Sequence, residues 1–147
     1  MNDVARVRQL LTGLVKSTDS PVYAVCQEIV SYLEGNPTQH YLTVGGIRAA
    51  LKRSEKNDAD LIQAAFTLTA YPFQVLEVRY KLYDETISKV LEEITHHTYM
   101  QALSDKQFID DEGNVIALEE LNSRIFPYFI NKLLTDSEVS SVVGSQL

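Results

Sequence analysis

Between Leu76 and Tyr83 apolar and polar side chains alternate without a break. Leu76, Val78, Tyr80 and Leu82 take one parity, and Glu77, Arg79, Lys81 and Tyr83 take the other. A period of two is that of an extended strand with one face on a core and one toward water. A lone strand leaves its backbone groups and its apolar face without partners, so this segment demands a sheet. Much of the remaining sequence repeats at three to four residues, the helical period. The chain is therefore expected to be α+β, mainly helical, with a small antiparallel sheet.

The helical segments follow from their spacing and caps. Val4, Val7, Leu11 and Leu14 predict a first helix over 3–16. Ser20 and Pro21 suit the start of a second, which carries Val22, Val25, Cys26, Ile29, Val30 and Leu33 on one stripe. Gly35 is expected to stop it in a left-handed conformation, with Pro37 beyond. His40–Leu42 reads as a short extended piece. Thr43 caps a third helix bearing Val44, Ile47 and Leu51, and Asn57 or Asp58 caps a fourth that ends before Pro72. Ile87, Val90, Leu91 and Ile94 fit another helix, whereas THHTYM fits neither class well. Phe108–Asp110 and Val115–Ala117 flank DEGN, a hairpin signal, and are the expected partners of the 76–83 strand. Residues 118–134 keep an apolar helical stripe across Pro127, which predicts a C-terminal helix kinked there. A single domain over 1–134 and a flexible Ser-rich tail at 135–147 complete the expectation.

With 147 residues, the chain can bury roughly 70% of its unfolded surface. No apolar run nears the roughly 20 residues of a membrane span, and MNDVARVRQLL lacks the pattern of a secretory signal. Cys26, the single cysteine, has apolar neighbours and no partner for a disulfide or a zinc cluster. A buried thiol and a cytoplasmic location are expected.

From residue 21 to 83 the order is helix, short strand, helix, helix, long strand. This order resembles the winged helix-turn-helix fold, and the likeness extends toward the 108–117 hairpin. It implies a winged-helix-like core over about 21–117 with extra N- and C-terminal helices around it. It also implies that the 58–70 helix, DADLIQAAFTLTA, would be the one to enter a DNA groove. That helix has no Arg or Lys and opens on Asp58 and Asp60, which repel phosphate. The net charge of −7 acts in the same direction.

Charge is nevertheless uneven. Arg48, Lys52, Arg53 and Lys56 concentrate in 47–56, with Arg48, Lys52 and Lys56 spaced as one helix face. They suit a solvated face, an acidic partner or phosphate. Acids gather over 105–120. Phe126, Tyr128 and Phe129 beside Pro127 suit a core or a protein contact.

Catalytic and ligand-binding patterns are sparse. His96 and His97 are adjacent, about 100° apart on a helix, and lack the i, i+4 spacing of a chelating pair. DDEGN fails as a calcium loop, because Gly113 at the sixth position puts Phe108 at the first. Gly45–Gly46 precedes no phosphate-loop lysine, and no GxSxG elbow occurs. The sequence therefore predicts a non-enzymatic adaptor or interaction subunit, without cofactor or metal, that pairs with a protein or with itself. A winged-helix DNA-binding regulator using the Arg48–Lys56 patch is the alternative. A small hydrolase or nuclease built from scattered acids comes third.

Overall fold

Asp3 opens the first helix by accepting the Ala5 N–H at 2.8 Å, which gives α1, Val4–Ser17. This computed structural model describes residues 3–133, so the 135–147 tail lies outside the described residues. Val4, Val7 and Leu11 face inward from α1 and pack on α2, Val22–Gly35. All six apolar stripe positions of α2 are buried. Ser20 Oγ accepts the Val22 N–H, and Pro21 already has helical dihedrals. The expected left-handed Gly35 is not found. Asn36 ends the helix instead, donating its backbone N–H to Leu33 and its side-chain amide to Tyr32. These two bonds satisfy terminal carbonyls without a positive φ.

Strand β1, Tyr41–Leu42, leads to Thr43, whose hydroxyl accepts the Gly46 N–H and caps α3, Val44–Ala50. A Cβ at Gly46 would lie 3.2 Å from that hydroxyl, so the cap itself explains the glycine. The fourth helix starts differently from expectation. Ser54 caps a 3-10 turn, Glu55–Asn57, which runs straight into α4, Asp58–Thr67. Leu61, Ala64 and Ala65 of α4 are buried, and α4 packs on α2 and α3. Phe66 meets Phe129 edge-on at 5.4 Å.

Strand β2 is Leu76–Tyr83, and its burial alternates residue by residue as the sequence pattern requires. Its partners differ from those expected. The segment read as a helix over 87–94 forms a turn and then β3, Val90–Thr95, antiparallel to β2. Asp84 builds the turn: Oδ1 accepts the Ser88 N–H at 2.8 Å and Oδ2 the Ser88 hydroxyl at 3.0 Å. Ile87 sits in that turn with φ 57, and of the four apolar residues only Ile94 is buried. Thr95 then caps α5, His96–Asp105, so THHTYM enters a helix.

The ribbon β4, Gln107–Ile109, and β5, Val115–Ala117, forms as predicted, but its strands pair with each other and not with β2. The kinked C-terminal helix is also corrected. Helix α6 ends at Arg124, and β6 runs from Ile125 to Asn131 through Pro127. Ile, Phe and Tyr favour the strand. Proline is tolerated there because β1 reaches only Phe129 and Ile130. The Asn131 N–H donates to His40, and position 127, of the same parity, aims beyond the end of that short strand.

The fold is thus α+β, with six α-helices among the described residues, a two-stranded ribbon and a four-stranded sheet in the order β1-β6-β2-β3. These residues form two compact units. One comprises the chain up to Glu77 and again from Phe129, and the other is Val78–Tyr128. Among the described residues no helix is long and apolar enough to cross a membrane.

Two outcomes are expected. Phe129→Ala removes a fully buried ring and should cost about 3–5 kcal/mol in urea denaturation. Burial pushes the Cys26 thiol up to about 12, so the native chain should resist thiol reagents. An unfolded thiol ionises near 9.0. Stability should therefore be complete below that pH and fall as pH rises toward about 12, less steeply in Cys26→Ala. Urea midpoints measured across that range check it.

Candidate functional site

Arg48, Lys52 and Lys56 do not form the one helix face expected of them. Helix α3 ends at Ala50, Lys52 turns the chain with φ 55, and Lys56 belongs to the 3-10 turn. Arg48 is committed to Asp58 through two bonds, Nε to Oδ1 at 2.9 Å and Nη2 to Oδ2 at 2.6 Å. This fork holds the Asp58 carboxyl below the usual carboxylate range. Arg53 donates to Glu28 at 2.8 Å. Lys52 and Lys56 are exposed. Positive charge here is thus half neutralised, and the two acids at the start of α4 adjoin it.

The three predicted contact aromatics are separated by the strand that replaces their helix. Phe126 and Tyr128 take one parity of β6 and Phe129 the other. Phe129 is a core residue against Phe66. Tyr128 is buried beneath the Lys81 ammonium, 5.2 Å from its ring centre. Burial, then the neighbouring Glu93, raises its hydroxyl pKa. Phe126 alone stays substantially exposed, edge-on to Tyr83 at 5.4 Å. They do not share one surface.

The histidines do not converge either. His96 Nδ1 lies 3.0 Å from the Tyr80 hydroxyl, and Tyr99 packs on the same ring at 4.6 Å. Among the described residues no three His, Cys, Asp or Glu side chains are grouped to hold a metal ion.

A larger feature lies within the Val78–Tyr128 unit. Two turns, each organised by one aspartate, flank a groove of about 740 Å³. Asp84 holds the first turn as described above. Asp110 holds the second, its Oδ1 accepting the Asn114 N–H at 2.8 Å and the Glu112 N–H at 3.0 Å. Gly113 supplies the φ of 86 that this turn needs. These backbone donors lower the pKa of Asp84 and of Asp110. Between the turns run the start of β3, Val90 to Glu92, and the β5 residues Val115 and Ile116. Glu92 Oε1 accepts the Asp111 N–H at 3.2 Å and so ties the second turn to β3. Burial first, and then the charges of Asp111 and Asp110, raise the Glu92 pKa.

Helix α6 contributes Glu120 and Arg124 to the lining. The Arg124 side chain is only 8% exposed. Its Nε donates to the Tyr83 carbonyl at 2.9 Å and its Nη1 to Glu120 at 3.1 Å. It therefore pins the end of β2 to α6. Seven carboxylates line the groove, the aspartates at 84, 110 and 111 and the glutamates at 85, 92, 112 and 120. Against them stand Lys89 and Arg124 alone. The acidic run at 105–120 signalled half of this site. The other half stayed hidden, because reading 87–94 as helix placed Glu92 on no sheet and left Asp84 without a turn to organise.

Arg124→Met should cost about 1.5–3 kcal/mol in urea denaturation, since it leaves the Tyr83 carbonyl without its charged donor. Glu120→Gln, at a half-exposed partner, should cost under about 1 kcal/mol. Equal costs would show that the ion pair, and not the carbonyl bond, anchors Arg124.

Comparisons with protein-family models, with curated proteins and with solved structures found no match for this chain.

Proposed function

We propose that this chain is a non-enzymatic interaction subunit, an adaptor whose winged-helix-like arrangement serves protein contact and not DNA reading. The winged-helix reading is supported by element order: α2, β1, α3 and α4 are followed at once by the long β2–β3 hairpin. Fold alone assigns no function, so the surface chemistry carries the argument.

The observation that carries it is the charge state at the start of α4. A helix that meets DNA presents donors and positive charge to phosphate. This one begins with Asp58 and Asp60, and the nearest guanidinium, Arg48, is already forked onto Asp58. Breaking that pair to release Arg48 would leave Asp58 facing the phosphates. The groove of the Val78–Tyr128 unit is acidic as well, which favours a partner of opposite charge.

Fluorescence anisotropy with a labelled DNA duplex at about 50 mM salt tests the reading against its alternative. The expected outcome is no salt-dependent binding. Binding that weakens steeply with salt and is lost in Lys52→Glu and Lys56→Glu would establish the DNA-binding regulator instead. Sedimentation of the chain with extract from its own host should show it in a larger assembly. An inert monomer in both experiments would overturn the adaptor reading.

A further inference from the structure

We propose that the acidic groove of the Val78–Tyr128 unit docks an extended, basic segment of a partner protein, with Lys or Arg side chains alternating with aliphatic ones. This deepens the adaptor reading and rests on it.

Three independent features point to that occupant. The first is sign: seven carboxylates against two cations leave the lining strongly negative. Of the two cations, Arg124 adds little accessible positive charge because it is buried and bonded within the wall, so the exposed Lys89 alone opposes the seven acids at the surface. The second is the floor. Val90, Leu91 and Val115 are large aliphatic side chains left exposed inside this acidic rim, Val115 at 62%. Exposed apolar surface rimmed by charge marks a contact site, and a ligand that is only a cation would leave it uncovered. The third is the strand order. Among the described residues β3 is the outermost strand of its sheet, with no strand hydrogen-bonded along its outer edge. A peptide in the groove, lined by Val90–Glu92, can lie along that edge in extended form, pointing alternate side chains to floor and rim.

The groove is also pre-organised. Each flanking turn is locked by its own aspartate, so little ordering remains to be done on binding. Glu92 gains from an arriving cation. It is held partly buried beside two other acids, which disfavours its charged form in the free protein. An ammonium or guanidinium placed there offsets that repulsion. A nucleic acid has the wrong sign for this surface, and the carboxylates do not group as metal ligands among the described residues.

The test titrates the isotope-labelled full chain with a synthetic peptide of alternating Lys and Val, about ten residues long, and with its Glu–Val counterpart. The Lys–Val peptide should shift amide resonances at Val90–Glu92 and Asp110–Ile116 and slow hydrogen exchange in β3. The Glu–Val peptide should not bind. Glu92→Gln/Asp111→Asn should weaken binding about tenfold or more, while retaining the acceptor that ties the turn to β3. Asp19→Asn/Asp60→Asn, which removes equal charge from the other unit, should change it less than about twofold. Leu91→Ser should weaken it severalfold at unchanged charge. Shifts scattered over all acidic surfaces, equal loss in both double variants, or no binding at millimolar peptide would overturn the proposal. The same double variants separate this from the broader reading. If Glu92→Gln/Asp111→Asn still enters the assembly that the unaltered chain enters, the groove is not the contact and the adaptor reading stands.

Discussion

Every N–H and C=O along β2 needs a partner, and its buried side chains need a surface to rest on. That requirement organises the sheet. Residues 90–95 answer it through a hairpin and 125–131 through a returning strand. Each of these segments has apolar residues at spacings a helix could also use, and a helix alone would satisfy its own backbone. Pairing with β2 selects the strand, and local chemistry at the ends assists it. Asp84 folds the turn that brings β3 back beside β2, and Pro127 denies residues 125–131 a continuous helical ladder. Arg124, buried at the junction of α6 and the end of β2, holds the place where helix gives way to strand.

The same geometry sorts the charges. On the first unit, arginines and acids meet in pairs: Arg48 with Asp58, Arg53 with Glu28, Arg8 with Glu34. These pairs are partly exposed and contribute little each to stability, but the first two neutralise half of the patch that the sequence leaves looking basic. On the second unit, aspartates serve backbone donors in turns and keep their negative charge. Acids separated by up to 36 positions, from Asp84 to Glu120, therefore face one groove with little to balance them. Because the hairpin and the ribbon are each closed by an aspartate, the residues that shape the groove also supply its charge.

Much of the framework was legible in the order of amino acids. Both N-terminal helices, the Thr43 cap, α4, the alternating β2 and the DEGN ribbon follow from local rules of spacing, capping and turn chemistry. These elements carry their own instructions, since the interactions that define them span only a few residues. The buried Cys26 and the acidity of α4's first turn were equally plain.

Strand identity at 90–95 and 125–131 was decided by tertiary structure, because a short apolar run reads alike in either period until a neighbouring strand selects one. The fate of the cations was decided there too. Whether Arg48 is a free contact or half of a fork depends on where Asp58 ends up in space, ten positions away. The groove belongs to the same class. Its carboxylates converge only because β3, the 110–114 turn and α6 meet around it, and charge summed along a chain says nothing of which charges will share a wall.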